Sequence, residues 1–399
     1  MMLEKKKDVR KTFISLVAVA LFLALVLVLD QVIKPSNKMY MLLTVLQKGS
    51  VYALAAVSMN LLNGFTGLFS LGHAGFMLIG AYTYAIFSIP AASRDTVYQY
   101  YDAAIRISFP EVLGNALGGF GTVLGVIICV LLAGLMASLF AYLIGLPVLR
   151  LKSDYLAIAT LGFAEIMRAI FQWDTLGPVT NGANVLRKYI DLTSIKLPFS
   201  DKPFPPTLFV FLVAGICIAV IMLLINSSYG RAFKAIRDDE IAAEAMGINL
   251  FKHKEMSFVI SSFFAGIGGA LLAMFQYTVQ AAQFKSAMTY EILLIVVIGG
   301  IGSVTGSCIS SFLFIACSEW WLRFLDEAKY NLPGMNILRS GFRKVVFSVI
   351  IMVIVLFFSK GIMGDRELSW KRIGAFFKDP FGLKRKKKLA AEAEVSGNG

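Results

Sequence analysis

The chain has 399 residues, of which 57% are hydrophobic and 16% are charged, and its mean hydropathy is +0.73. Soluble domains carry about 25% charged residues, so these values exclude a soluble enzyme and indicate a protein with several membrane-spanning helices. The formal net charge of +13 does not indicate nucleic-acid binding, because the one dense basic run lacks interleaved aromatic residues.

The N-terminus has a basic head, 1–12, followed by an apolar run near 13–33. A secretory signal has a similar pattern, but no small-residue cleavage site follows this run. We therefore predict a first helix that is retained in the protein, with its basic head in the cytoplasm.

Further apolar runs predict the remaining spans. They fall near 40–62, 72–89, 119–149, 154–173, 206–226, 256–280, 290–324 and 344–363. The run at 290–324 is too long for one span, and the sequence GGIGSVTG at 299–306 divides it into two helices. The predicted fold class is an all-α integral membrane protein with about ten transmembrane helices, two of its helical hairpins being interrupted by glycine.

The distribution of Lys and Arg predicts the orientation, since both are favoured in cytoplasmic connections. With the N-terminus inside, the inner connections carry more Lys and Arg than the longer outer connections. Both termini are therefore predicted to be cytoplasmic. The tail, 366–399, contains the run KRKKK and is predicted to be disordered and to contact anionic lipid headgroups.

Two glycine-rich segments occupy corresponding places in the two halves of the chain, GFTGLFSLGHAGFMLIGAY at 64–82 and GGIGSVTG at 299–306. Such interruptions indicate the substrate pathway of an internally repeated transporter, and close helix packing is the alternative reading. The residues assigned on this basis to the pathway or to a subunit interface are Gly64, Gly67, Ser70, Gly72, His73, Gly75, Gly299, Gly300, Gly302 and Gly306.

Ionisable residues inside the spans are further candidates for the pathway. His73 either bonds to a neighbouring helix or relays protons. Glu165 and Arg168 are three residues apart, and Glu165 lies about 17 Å along its helix, near the bilayer midplane. This pair either locks the bundle or serves transport, and the sequence leaves both open. The cysteines and histidines show no spacing typical of a metal site or a metalloenzyme.

The inner connection at 227–256 is predicted to contain a short helix. Three acids, Asp238, Asp239 and Glu240, precede the sequence IAAEAMG, and Gly247 suits the end of a helix. The alanines leave a small-residue surface with charged flanks, a pattern that predicts docking to a soluble partner. The docking candidates are Arg231, Lys234, Arg237, Asp238, Asp239, Glu240, Ala242, Ala243, Glu244 and Gly247.

Four motifs carry a family resemblance over roughly 40–365: the two glycine-rich segments, YLAIATLGFAEIMRAI, and GRAFKAIRDDEIAAEAMGIN. They resemble the permeases of bacterial branched-chain amino acid ABC importers, of the longer LivM type. With the first apolar run included, the predicted permease domain is 13–365. The resemblance implies that this domain lies in a bacterial cytoplasmic membrane and moves branched-chain amino acids or related small polar solutes into the cell.

The resemblance also implies partners: a LivH-type second permease, two cytosolic ABC ATPases docked on 231–247, and an extracytoplasmic substrate-binding protein. No cofactor is expected on this chain. It contains no G-x-x-x-x-G-K-[ST] motif, so ATP would be hydrolysed by the partners.

Two places depart from the family pattern. Ile241 stands where the general docking signature has Glu, and Glu240 lies one residue earlier. In the outer sequence TNGANVL, Asn181 and Val185 replace two glycines, which leaves the shape of that turn open.

Alternative functions also remain at this point. Similar permeases carry urea, short amides or other amino acids. An ion-coupled secondary transporter would explain the two hairpins and the Glu165–Arg168 pair, although not the alanine-rich inner helix. A membrane-embedded enzyme would need a converging set of catalytic groups, and the sequence indicates none.

Overall fold

The computed structural model describes residues 2–33, 39–150, 153–195, 203–326, 345–349, 352, 361–364 and 367. In this part of the chain the fold is helical, and the only β-pairing is one isolated bridge between Leu186 and Val279. The α-helices are α1 (Met2–Val32), α2 (Tyr40–Asn60), α3 (His73–Ser88), α4 (Arg94–Val97), α5 (Phe109–Val148), α6 (Ser153–Gln172), α7 (Gly177–Thr180), α8 (Pro206–Asn226), α9 (Ser228–Asp238), α10 (Glu240–Ala245), α11 (Leu250–Gln276), α12 (Ser286–Gly299) and α13 (Val304–Ile315).

Five helical segments in the described residues are long and apolar enough to cross a membrane, or six if α3 is joined to the bent segment that follows it. This confirms the predicted class of an all-helical membrane protein. The five lie at Tyr40–Thr66, Phe109–Val148, Tyr155–Gln172, Pro206–Asn226 and Leu250–Gln276. The predicted run near 344–363 falls largely outside the described residues. The tail lies outside them too, apart from Glu367, and this includes its whole basic run.

Several helices differ in length from the predicted runs. Helix α1 already begins at Met2, so most of the basic head continues the first helix. Helix α5 begins at Phe109, before the predicted start near 119, and Gly118 (φ 63°, ψ −145°) kinks it. The divided run at 290–324 becomes α12 and α13, of 14 and 12 residues, which are about 21 Å and 18 Å long.

Helix α11 is central to the bundle and packs against α2, α3 and α5. Helices α5 and α8 turn apolar side chains outward, among them Leu135 (56% exposed) and Leu223 (72% exposed). These outward faces are typical of helices that contact lipid.

Two helices of the bundle end in a wider turn. A π-helical turn at Leu61–Thr66 follows α2, and another at Ala316–Trp321 follows α13. Such turns are rare and occur frequently at functional sites. The first one leads into the non-helical residues 67–72, so the span and α3 form the interrupted hairpin that the glycines predicted.

Candidate docking site and the glycine-rich turns

The predicted docking segment folds as two short helices, α9 and α10. Helix α9 buries Gly230, Phe233 and Ile236 against the bundle. Asp239 begins α10 as its N-cap, and its Oδ1 accepts hydrogen bonds from the backbone N–H groups of Ile241 (2.9 Å) and Ala242 (3.0 Å). The predicted short helix, with an acid at its N-terminus, is therefore present.

Helix α10 ends at Ala245, and Gly247 forms the helix stop that the sequence predicted. Gly247 has φ +85°, a left-handed conformation that glycine adopts without strain. Its N–H donates to the carbonyl oxygen of Glu244 (2.9 Å), and the N–H of Ile248 donates to that of Ala243 (3.1 Å). These two bonds form a Schellman cap, which satisfies the last carbonyl groups of the helix.

The exposed surface of α10 includes two of the three predicted alanines, Ala242 and Ala245, together with larger apolar side chains. Ala243 is buried, whereas Ala242 and Glu244 are exposed. The large exposed side chains are Ile241 (82%) and Met246 (83%), the most exposed large hydrophobic residues in the described chain. These two side chains form a compact exposed apolar surface, of the kind that often marks an interaction site.

Charged residues hold α9 and α10 in place around this surface. Glu240 forms a 2.6 Å ion pair with Lys254 on α11. Arg237 pairs with Asp238 at 2.9 Å, and Arg231 is exposed. Lys234 is half-buried, with its ammonium 5.6 Å from the centre of the Phe65 ring. Arg231 thus faces water, whereas Lys234 contacts the turn at 61–72, which we call the first glycine-rich turn. The second glycine-rich turn is at 299–306.

Arg237 joins the docking helices to the first glycine-rich turn. Its Nη1 donates a 3.0 Å hydrogen bond to the carbonyl oxygen of Gly64. A Cβ atom added to Gly67 would lie 2.9 Å from Cγ of Arg237, so only glycine lets the arginine stem approach this closely. The same guanidinium also faces Gly302 of the second turn, at 3.4 Å from the position that a Cβ would take there.

Asn60 joins the two glycine-rich turns directly. Its Nδ2 donates to the carbonyl oxygen of Ser303 (3.0 Å) and to Oγ of Ser307 (2.8 Å). Its Oδ1 accepts from the N–H of Gly302 (2.8 Å). The side chain is fully buried, so one amide uses both of its ends to fix the two turns against each other.

The second turn is closed by backbone contacts. The backbones of Gly299 and Gly306 pack against each other, and that of Gly300 packs against Gly364. Glu367 then accepts hydrogen bonds from the N–H groups of Val304 (2.6 Å) and Thr305 (3.1 Å) at the start of α13. Residues that the sequence analysis placed at or beyond the end of the permease domain therefore complete this turn.

A cavity of about 260 Å³ lies between α9, the end of α8 and both turns. Its walls include Phe65, Lys234, Arg237, Gly302 and Glu367. The cavity therefore lies beside the contact between Arg237 and the first glycine-rich turn. Among the described residues, no group of three His, Cys, Asp or Glu side chains could hold a metal ion.

Comparison with known proteins identifies the family. Residues 41–359 match the family model described as "Branched-chain amino acid transport system / permease component". The chain belongs to this permease family. The match begins at the second residue of α2 and runs through both glycine-rich turns and the docking helices, and leaves α1 outside it.

Sequence similarity to individual proteins also supports the family assignment. The chain is 30% identical over 316 residues to the high-affinity branched-chain amino acid transport system permease protein LivM of Salmonella typhimurium, and 31% identical over 315 residues to LivM of Escherichia coli. Each match covers 73% of this chain and 66% of the relative, just under two thirds. A probable LivH of Methanocaldococcus jannaschii is 26% identical, covering 59% of this chain and 72% of that protein. No solved structure matches the chain significantly.

In this member of the permease family, the first glycine-rich segment packs closely on α6. A Cβ on Gly72 would lie 2.9 Å from the carbonyl oxygen of Thr160, and one on Gly75 would lie 2.8 Å from Cα of Ala164. Ser70 is buried beside them, and its backbone N–H donates to the side chain of Asn63 (3.2 Å). Gly72 and Gly75 therefore lie in a close helix packing contact between α3 and α6.

The ionisable candidates of the family member are partnered. His73 is buried and its Nε2 lies 2.8 Å from Oγ of Ser58 on α2. Glu165 and Arg168 form a 2.7 Å ion pair on α6. Glu165 also accepts hydrogen bonds from the backbone N–H (3.3 Å) and the hydroxyl of Ser286, and so ties α6 to the start of α12.

The outer sequence TNGANVL, in which Asn181 stands in place of a glycine of the family pattern, still forms a tight turn. Asn181 adopts φ +63° itself, a left-handed conformation that asparagine tolerates better than most residues. Its side chain donates to the carbonyl oxygens of Val97 (3.1 Å) and Val185 (3.4 Å), so the turn forms without the family's glycines. Nearby, burial raises the pKa of Tyr189, whose hydroxyl donates to Ala273.

Sequence reasoning missed several residues of this site. Asn60 and Glu367 join or complete the turns, and Ile241 and Met246 form the exposed surface of α10. The one available signal was the pair Ile241 and Met246, which are large apolar residues in a polar inner connection. Asn60 gave no such signal, because a polar residue at the end of a span is ordinary.

Proposed function

We propose that this chain is one of the two permease subunits of a bacterial ABC importer for branched-chain amino acids. One observation carries the proposal: Arg237 connects the docking helices to both glycine-rich turns. A motion imposed on α10 by a soluble motor would reach both membrane turns through this guanidinium, with Lys234 as a further contact to the first turn.

The route for such a motion follows three contacts. Helix α10 is fixed to α11 through Glu240 and Lys254, and the adjoining helix α9 ends at Arg237 and Asp238. Arg237 holds the carbonyl oxygen of Gly64, and Asn60 holds the second turn. A shift of α9 would therefore move both turns together, in the manner of packed elements with discrete arrangements.

The proposed partners would bind on opposite sides of the membrane, at the docking helices and at the turn around Asn181. One cytosolic ABC ATPase would bind this chain at the exposed surface around Ile241 and Met246. A second ATPase would bind the corresponding surface of a LivH-type second permease. Similarity to both LivM and LivH proteins supports such a pair. A substrate-binding protein would dock at the opposite end, where Asn181 shapes the turn. Under this proposal both termini are cytoplasmic.

The substrate assignment rests on the relatives, whose names specify branched-chain amino acids. Urea, short amides and other amino acids are the alternatives within the same transporter class. An ion-coupled secondary transporter accounts less well for the chain, because two large apolar side chains more than 80% exposed on α10 would then have no partner.

Purification of this chain with its natural partners tests the proposal. The complex is extracted in mild detergent, its subunits are identified by mass spectrometry, and it is reconstituted with a LivH-type permease, ATPases and a binding protein. We expect uptake of labelled leucine that requires ATP, with no uptake of labelled urea. A chain that purifies alone and transports without ATP would overturn the proposal, and ATP-driven uptake of urea would correct the substrate.

A further inference from the structure

Ionisable side chains occur at membrane depth on one surface of the bundle. Lys48 lies about 12 Å along the span that begins at Tyr40, and its ammonium forms a 2.6 Å ion pair with Glu319 in the π-helical turn after α13. Both side chains are partly exposed, at 21% and 28%. The pair therefore reaches the outer surface of the chain and is not enclosed in the bundle.

Glu291 extends this surface along α12. It is exposed, and its carboxylate is hydrogen-bonded to the hydroxyl of Tyr52, one turn beyond Lys48 on α2. The ammonium of Lys48 lies 5.8 Å from the centre of the Tyr52 ring. Two carboxylates and one ammonium thus surround a single tyrosine.

The Glu165–Arg168 pair flanks α12 on its other side, where Glu165 binds Ser286. Between the two ion pairs, α12 turns Ala287, Tyr290 and Glu291 outward, and Tyr290 is 43% exposed. We call this surface the charged α12 face. It consists of Lys48, Glu165, Arg168, Ala287, Tyr290, Glu291 and Glu319.

The charged α12 face contrasts with the outward faces of α5 and α8. Those faces expose Leu135, Leu139 and Leu223, each at least 50% exposed, and they suit hydrocarbon. Charged side chains at membrane depth are costly in lipid and almost always face a protein partner or a water-filled cavity. One molecule therefore presents two kinds of outward surface, of which only one is suited to lipid.

We infer that the charged α12 face borders a water-filled seam that is closed by the second permease subunit. This inference rests on the proposed function, since it takes the second subunit from there. Lipid then covers α5 and α8, while α6, α12 and the turn at Ala316–Trp321 form one wall of the solute path. The ion pairs keep the charges of this wall largely balanced, and water hydrates the exposed part of Glu291.

Cysteine accessibility in the assembled complex tests the inference. Cys129, Cys217, Cys308 and Cys317 are first replaced by Ser, and uptake by this background is verified. Single cysteines are then placed on the charged α12 face (Ala287→Cys and Tyr290→Cys) and on the opposite faces (Leu135→Cys and Leu223→Cys). The probes are a membrane-impermeant methanethiosulfonate and a short maleimide–benzophenone reagent, whose maleimide adds to the cysteine thiol and whose benzophenone, on illumination, inserts into C–H bonds of the neighbouring subunit.

We expect the two α12 cysteines to react at least 10-fold faster with the water-soluble probe and to cross-link to the second permease. Equal protection of all four positions, or cross-linking through Leu135→Cys or Leu223→Cys, would overturn the inference. Failure of the wild-type chain to recruit a second permease would instead contradict the proposed function, so the two failures are distinguishable.

A second variant pair supplies a functional readout. Glu291→Leu should reduce ATP-driven uptake at least 10-fold with the subunits still assembled, because it removes a hydrated charge from the path. Glu291→Gln, which keeps polarity, should retain more uptake than Glu291→Leu. Full transport by Glu291→Leu would indicate that this face contacts lipid and would contradict the inference.

Discussion

The guanidinium of Arg237 and the carbonyl oxygen of Gly64 are joined by a 3.0 Å hydrogen bond, although the two residues are 173 positions apart in the chain. The bond connects α9, which immediately precedes α10, to the turn between α2 and α3. Its acceptor is a backbone atom, so only the donor side can be altered by substitution.

Arg237→Lys should uncouple ATP hydrolysis from transport. Lysine keeps the charge but cannot reach Gly64 and Asp238 at once, because it lacks the forked guanidinium. Loss of a hydrogen bond to a charged group amounts to about 1.5–3 kcal/mol, so we expect uptake per ATP hydrolysed to fall roughly 10-fold. Coupled uptake and ATPase activity in proteoliposomes measure this ratio. Lys252→Ala, an exposed charge on α11, is the control, and an equal ratio in both variants would contradict the role of Arg237.

Ile241→Ser and Met246→Ser should weaken ATPase binding and leave the fold intact. Both side chains are more than 80% exposed, so their loss removes nothing from the core. Burial of one such side chain in an interface contributes about 1.5–3 kcal/mol, and we expect the dissociation constant to rise about 10- to 100-fold in each variant. Binding of purified ATPase to the detergent-solubilised permease measures this effect. The matched control is Ile107→Ser, 57% exposed in the connection before α5, and an unchanged affinity in the α10 variants would argue against this docking surface.

Gly75→Leu should disrupt the bundle, whereas Gly162→Leu should not. A Cβ on Gly75 would clash with Cα of Ala164 at 2.8 Å, while nothing lies within 4 Å of the corresponding position on Gly162. Overpacking of this kind costs about 1–3 kcal/mol and forces α3 away from α6. The amount of monodisperse complex recovered in mild detergent, measured for both variants, checks the expectation. Equal recovery of the two would mean that α3 and α6 can separate without loss.

Glu255→Met should stabilise the protein. Glu255 is 7% exposed on α11, its carboxylate contacts Gly145, and neither of its oxygens has a hydrogen-bond partner among the described residues. A buried polar group without partners is costly, and an apolar replacement of similar length removes that cost. We expect the midpoint of thermal unfolding in detergent to rise by a few degrees, about 2–4 °C per kcal/mol for a chain of this class. Glu111→Met, on the kinked start of α5, provides the comparison, and a lower midpoint for Glu255→Met would show that the carboxylate has a stabilising role.

The sequence predicted those features that depend on local chemistry. Asp239 and Gly247 define α10 because a cap and a left-handed residue act within a few positions of the chain. The glycine-rich turns were located for the same reason. The start of α5 was missed because the residues before Gly118 include glycine, asparagine and glutamate and therefore lower the local hydropathy.

The contacts that join distant segments were beyond prediction from one sequence. Arg237 binds a backbone carbonyl that any residue would supply, and Asn60 binds a backbone N–H and a serine more than 240 positions away. Of the three alanines predicted to form the surface of α10, Ala242 and Ala245 are exposed, and Ala243 is buried because of how α10 packs against α9 and α11. Lys48 and Glu319 lie inside two separate apolar runs, and one sequence does not indicate that residues 271 positions apart form an ion pair.

The Asn60 contact also has a consequence for biogenesis. Its amide groups reach partners that are synthesised 242 and more residues later, which at about 5–20 residues per second is a delay of roughly 12–48 s. During that interval a polar side chain at the end of an inserted helix lacks its native partners. The first glycine-rich turn can therefore reach its final arrangement only after the second half has been inserted, and the two halves are expected to mature as one cooperative unit.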